Sequence, residues 1–248
     1  MIWICLLMLL SGCAKKEEKE EPTEEPLNDV EQYIIREEDP FPYEELNKLF
    51  DTYHYSYGDY IGELWFASGL INESVVQGQS NDTYLRTYWK TMEYDSAGSI
   101  FMDFRNSLQD QNIVIYGHYV YLSKDPSGTK MFTPLRFLSE EENYEENKTF
   151  YLLLNGEIRE YEICVVYYCP LYNDNTETGE DMQYYTTNFT EEYFNTYKAA
   201  ILKEAFYDTG VDFDYSDRFV TLQTCVENRD DLREIVLAKE VKRYDTKK

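Results

Sequence analysis

The sequence predicts a mostly β domain, a closed eight-stranded barrel with helices on its N-terminal side and one long helix before its last two strands. Three observations predict it. From Ile61 onward, short runs rich in β-branched and aromatic residues recur, each bounded by Gly, Asn, Asp or Pro. Helical patterns do not alternate with them, so about eight strands must cover their edges by closing on one another, in antiparallel or mixed order. The exception is one helical stretch that starts at Thr190, late in the chain.

Taken in order, the chain begins with an apolar run over residues 1–10, followed by Ser11, Gly12 and Cys13. That run falls short of the roughly 20 residues a helix needs to cross a bilayer, and suits the apolar core of a signal peptide. Leu10 to Cys13 resembles the lipobox of bacterial lipoproteins, in which Cys13 would become the lipidated first residue. No Lys or Arg precedes the run, so the remnant of a signal anchor is the alternative. Either reading puts the rest of the chain outside the cell. Residues 14–26 are almost all Lys, Glu and Pro, carry too little apolar surface to fold, and read as a disordered acidic linker. The folded domain is expected over 27–248.

Val30, Tyr33 and Ile34, then Tyr43, Leu46, Leu49 and Phe50, recur at helical spacing on either side of Pro40 and Pro42, which predicts two N-terminal helices. Strand patterns follow at Leu64 to Phe66, at Leu70 and Ile71, at Val75 and Val76, and over residues 99–103, 112–116 and 149–154. The longest covers 158–168, where Tyr161, Ile163, Val165 and Tyr167 share an apolar face against Glu160, Glu162, Cys164 and Val166. On that alternation Cys164 and Cys169 point to opposite faces, which argues against a disulfide between them. In the late helix Thr190 caps, Glu191 and Glu192 suit the positive end, and Phe194, Tyr197, Ile201 and Ala205 form the buried stripe before Gly210.

The last two strands carry the chemistry. Phe219 to Leu222 is β-branched and aromatic, Cys225 ends the run, a charged loop follows, and Arg233 opens the next run into Ile235, Val236 and Leu237. A cysteine is most often a small buried hydrophobe. Here the polar flanks Thr221, Gln223 and Thr224 and the charged stretch 227–233 put the thiol where a ligand can reach it. The chain has two histidines. His54 lies among tyrosines and reads as a partly exposed aromatic. His118 follows the apolar run 113–116, broken by Gly117, and so stands at the end of a buried strand. A thiol with a reference pKa near 8.5 beside an imidazole near 6.5 makes a nucleophile with its own base. An arginine adds a permanent, directional positive charge for an oxyanion.

The run TLQTC at 221–225 matches the TLxTC signature of sortases, the cysteine transpeptidases of Gram-positive cell surfaces. Arg233 with IVLAK resembles the family's arginine strand, and IYGH at 115–118 its histidine turn. GSIFMDFRN at 98–106 and VVQGQSNDTYL at 75–85 resemble class B sortases in particular, and the five motifs stand in the family's order over roughly Ile61 to Val241. The resemblance implies the sortase barrel, two N-terminal helices and a long helix walling the substrate groove before the cysteine strand. It implies Cys225 as nucleophile, His118 as acid and base, and Arg233 as the third catalytic residue, with Asn81, Leu85, Gln223 and Thr224 lining the groove. Arg229, in the loop after Cys225, is the alternative arginine. The substrate would be a secreted protein with a Pro/Thr-containing C-terminal sorting motif, passed to an amine of cell-wall peptidoglycan or, alternatively, of a pilin, by an enzyme held at the membrane through its N-terminus.

Other readings fit less well. Papain-like hydrolases place cysteine before histidine, the reverse of His118 and Cys225. L,D-transpeptidases carry both residues in one short motif. A barrel kept only for binding is weakened by the presence of all three residues together. No ligand-spaced histidines, CxxC pair or glycine-rich phosphate cradle is present, so no metal and no other cofactor is expected. With 48 acidic against 23 basic residues, the charge of −25 excludes a nucleic-acid partner.

Overall fold

The computed structural model describes residues 32–34, 43–54, 56–173 and 175–246. The expected leader with Cys13 and the linker at 14–26 lie outside the described residues. In chain order the elements are β1 (Gln32–Ile34), α1 (Tyr43–His54), β2 (Tyr60–Phe66), β3 (Asn72–Val76), β4 (Thr87–Tyr88), β5 (Glu93–Tyr94), β6 (Ile100–Met102) and β7 (Asn112–Tyr116). Two 3₁₀ helices, Thr133–Ser139 and Glu141–Asn143, lead into α2 (Tyr144–Asn147). Then come β8 (Thr149–Leu154), β9 (Glu157–Pro170), α3 (Glu191–Glu204), β10 (Phe219–Val226) and β11 (Arg229–Asp245).

Eight strands close into a barrel in the order β11, β10, β7, β6, β3, β2, β8, β9, with β9 pairing back to β11. The pairing is mixed: β7 with β10 and β3 with β6 are parallel, and the others antiparallel. Alternation along each strand fills the interior, so that Ile113, Ile115, Val220, Leu222, Val236 and Ala238 share one core. Each of the Ile, Val and Leu side chains among them contributes about 1.5–3 kcal/mol by burial. Closure also needs a close backbone approach at Gly62 in β2, where an added Cβ would stand 1.9 Å from the carbonyl oxygen of Leu153.

The first of the two expected N-terminal helices is corrected. Residues 32–34 form β1, parallel to residues 243–245 of β11. The pairing of β10 along β11 stops at Lys239, which leaves the β11 edge open beyond it, and hydrogen bonds to that edge outweigh a helical spacing carried by three apolar residues. The second helix is α1, whose Phe50 packs on Tyr60 with ring centres 5.5 Å apart. His54 stacks on Phe50 at 4.8 Å.

The single apolar face expected along 158–168 is also corrected. Tyr161 and Ile163 face the barrel interior, whereas Val165 and Tyr167 pack outside it, and Val166 faces in. The phase changes at Cys164, where Ala238 pairs with Ile163 but Leu237 pairs with Val165. A bulge of one residue turns every later side chain to the other face. Tyr167 is thereby available to α3, whose Phe194, Tyr197 and Ile201 are buried against Phe219 and Leu237 on the outside of the barrel. Thr190 caps that helix by accepting a hydrogen bond from the Tyr193 N–H at 3.2 Å.

Candidate active site

Strand register assembles the site. β7 and β10 run parallel and pair Tyr116 with Gln223, and the Gly117 N–H continues the ladder by donating to the Gln223 carbonyl at 3.1 Å. His118 and Cys225, each two residues further on, therefore leave the barrel at the same rim. β11 enters that rim from the opposite direction and pairs Arg233 directly with Cys225. Cross-strand partners lie on one face. Cys225, His118 and Arg233 line a cleft of about 510 Å³ together with Asn81, Leu85 and Gln223.

His118 is held by its Nε2, which lies 2.6 Å from the Leu85 carbonyl oxygen. A carbonyl only accepts, so Nε2 carries the hydrogen and Nδ1 keeps its lone pair. Burial lowers the imidazole pKa below its usual value, and the Arg86 charge lowers it further, against the raising effect of the Leu85 carbonyl. The ring is neutral at neutral pH.

The three described cysteines are free thiols. Burial pushes both Cys164 and Cys169 up to about 12, which leaves them protonated and unreactive. Cys225 is partly exposed in the cleft. Arg233 donates through Nη1 to the carbonyls of Leu232 at 2.8 Å and Asp230 at 3.2 Å, and among the described residues no carboxylate pairs with it. Arg229 is committed elsewhere, in a two-pronged pair with Asp231 at 2.8 Å for each contact.

Thr224 does not join the other groove residues. It is fully buried, and its side chain lies on the face of β10 opposite to Cys225. The long helix α3 likewise does not line the cleft; the chain before it does, through Thr176, Tyr184 and Tyr185. One group was missed from the sequence. Asp103, wholly buried after β6, accepts hydrogen bonds from Arg105 Nε at 2.9 Å and Nη2 at 2.7 Å, from the Tyr116 hydroxyl at 2.8 Å and from Asn81 Nδ2 at 3.1 Å. All three donor residues, Arg105, Tyr116 and Asn81, line the cleft. Asp103 and Arg105 were visible as a DxR pair within GSIFMDFRN, without a sign of which neighbours they would meet.

No family model matches the chain. It is 33% identical over 175 residues to sortase B of Listeria monocytogenes, a match covering 69% of this chain and 65% of that protein. With sortase B of Staphylococcus aureus it shares 26% identity over 189 residues, 74% of this chain and 71% of the relative. The X-ray structure of Clostridium perfringens sortase B has a TM-score of 0.63 at 29% identity, covering 78% of this chain and 98% of that one. The chain thus spans just under two thirds of the length of the Listeria relative. The closed eight-stranded barrel matches the fold of solved sortase B structures. Within that fold, the chain is similar to the class B sortases.

Proposed function

We propose that the chain is a cysteine transpeptidase that cleaves a Pro/Thr-containing C-terminal sorting motif of secreted proteins and passes the acyl group to an amine of cell-wall peptidoglycan. The observation that carries this reading is the register that sets Cys225 opposite Arg233 and level with the strand end bearing His118. Neutral His118 takes the Cys225 proton, and the thiolate attacks the scissile carbonyl. The oxyanion faces the Arg233 guanidinium, whose charge no carboxylate among the described residues neutralises. A group in that role is worth about 10²–10³ in rate. The imidazolium returns its proton to the departing amine as the C–N bond breaks, leaving a thioester on Cys225. An incoming amine then attacks the thioester, His118 accepts its proton, and the thiol is released. Acid–base work of this kind contributes about 10²–10⁴.

Asn81, Leu85 and Gln223 fit a role in holding the sorting peptide, because they line the same cleft. The apolar run 1–10 and the Leu10 to Cys13 motif support anchoring at the outer face of the membrane through the N-terminus, by lipid on Cys13 or by a signal anchor. The test is mass spectrometry of the chain incubated with Pro/Thr-containing sorting peptides and a diglycine or diaminopimelate-type amine. A thioester on Cys225 that converts to a peptide–amine product, and its absence in folded Cys225→Ala, are the expected results. A peptide–amine product from Cys225→Ala would refute the nucleophile.

A further inference from the structure

A second set of polar side chains stands behind the cleft, unused by that chemistry. Cys225 and Arg233 face the cleft, so the preceding pair in the ladder, Thr224 with Glu234, faces the other way, into the end of the barrel in line with Leu222 and Val236. Glu234 is 2% exposed and Thr224 is fully buried. One carboxyl oxygen of Glu234 and the Thr224 hydroxyl have no hydrogen-bond partner among the described residues. A buried acid left this way is stable only in its neutral form.

Its surroundings do little to change that. Among the described residues, Arg136 of the first 3₁₀ helix is the one cation acting on Glu234, and burial outweighs it, pushing the carboxyl up to about 8. Tyr168 of β9, Tyr119 after β7 and Tyr207 after α3 also feel the Glu234 charge. The same rings also feel the charges of Glu227, Glu140, Glu141 and Arg229. The ladder, moreover, breaks immediately past the catalytic pair: the register jumps so that Val226 meets Arg229, and residues 230–232 have no partner in β10.

We propose that Glu234, with Thr224, is a positioning residue of the site: as a neutral acid it lets β10 and β11 close and hold Cys225 against Arg233, and as a carboxylate it parts the strands at the break in the ladder. This rests on Cys225 being the nucleophile. An unfolded glutamate ionises near its ordinary 4.5, so the contribution of the neutral acid is full below that value and is lost as pH rises toward about 8.

The test uses the full chain and its Glu234→Gln variant, alkylated with iodoacetamide from about pH 6 to about pH 10, with modification of the Cys225 peptide read by mass spectrometry. The wild type is expected to depart from a single thiol titration near pH 8, and the glutamine variant, neutral throughout, to follow one curve, the two differing by about threefold or more at pH 9. Superimposable profiles overturn the proposal. So does a folded glutamine variant whose Cys225 is unreactive at every pH. Should that variant fail to unfold cooperatively, Thr224→Val provides the second reading: it removes the polar group facing the acid and moves the departure to higher pH, and an unmoved departure overturns the proposal. Alkylation needs no sorting peptide. A chain that shows the pH behaviour but forms no thioester refutes the transpeptidase while supporting the role of Glu234.

Discussion

Replacing Asp103 with asparagine tests whether one buried charge organises the cleft. Burial alone would raise the carboxyl, yet the Arg105 guanidinium and backbone N–H, with Asn81 and Tyr116, hold it down at about 2, against an ordinary 3.8. That is roughly two units at 1.36 kcal/mol each, so the charged form gains about 2.5 kcal/mol from the fold. Asparagine keeps the shape, loses the charge and turns an N–H₂ toward the Arg105 and Asn81 N–H groups that donate to the native carboxylate. The expected cost is about 2–3 kcal/mol, which for a domain of this size lowers Tm by about 5–10 °C. The assay is thermal unfolding followed by circular dichroism across pH. A depressed carboxyl contributes its stability above 3.8 and loses it as pH falls through about 2, so the gap between wild type and Asp103→Asn is full at neutral pH and closes in acid. A gap that persists unchanged at low pH would mean that the cost is steric, and equal stability at neutral pH would refute the argument outright. Because Asn81, Arg105 and Tyr116 lose a common acceptor, KM for a sorting peptide should rise more than kcat falls.

Arg233→Lys should lower kcat about 10²–10³-fold, since an ammonium replaces the directional fork, while Arg229→Ala should leave turnover close to wild type because its partner is the exposed Asp231; steady-state kinetics of both decide which arginine acts. Gly117→Ala would drive a Cβ to 2.6 Å from the fully buried Phe132 ring, one residue before His118. We expect a loss of about 1–3 kcal/mol, with peptide turnover reduced further than the change in Tm explains. Arg86→Ala removes a charge that lowers the His118 pKa, so the acid limb of kcat/KM should move to higher pH; an unmoved limb would assign that limb to another group.

Much of the site was legible because its residues sit at strand ends, where the sequence changes character abruptly. The runs 113–116 and 219–222 stop at Gly117 and at a polar flank, and the polar break after an apolar run marks a rim. Thr224 was misplaced although its cue was present: strand alternation sends neighbours to opposite faces, so a cleft-facing Cys225 already implied a buried Thr224. The β9 phase change was hidden, because a bulge at Cys164 leaves no mark where the strand, from Ile163 onward, is apolar on both sides. Asp103 and its donors come from separate stretches that only the folded barrel brings together. What the sequence does not spell out is why three distant residues converge. β7 and β10 are parallel neighbours, so both end at one rim, and β11, antiparallel to β10, must begin there. Two strand ends and one strand start in adjacent positions bring a base, a thiol and a cation together without any loop to order. A mixed barrel provides that meeting point where a wholly antiparallel one would send His118 to the far end.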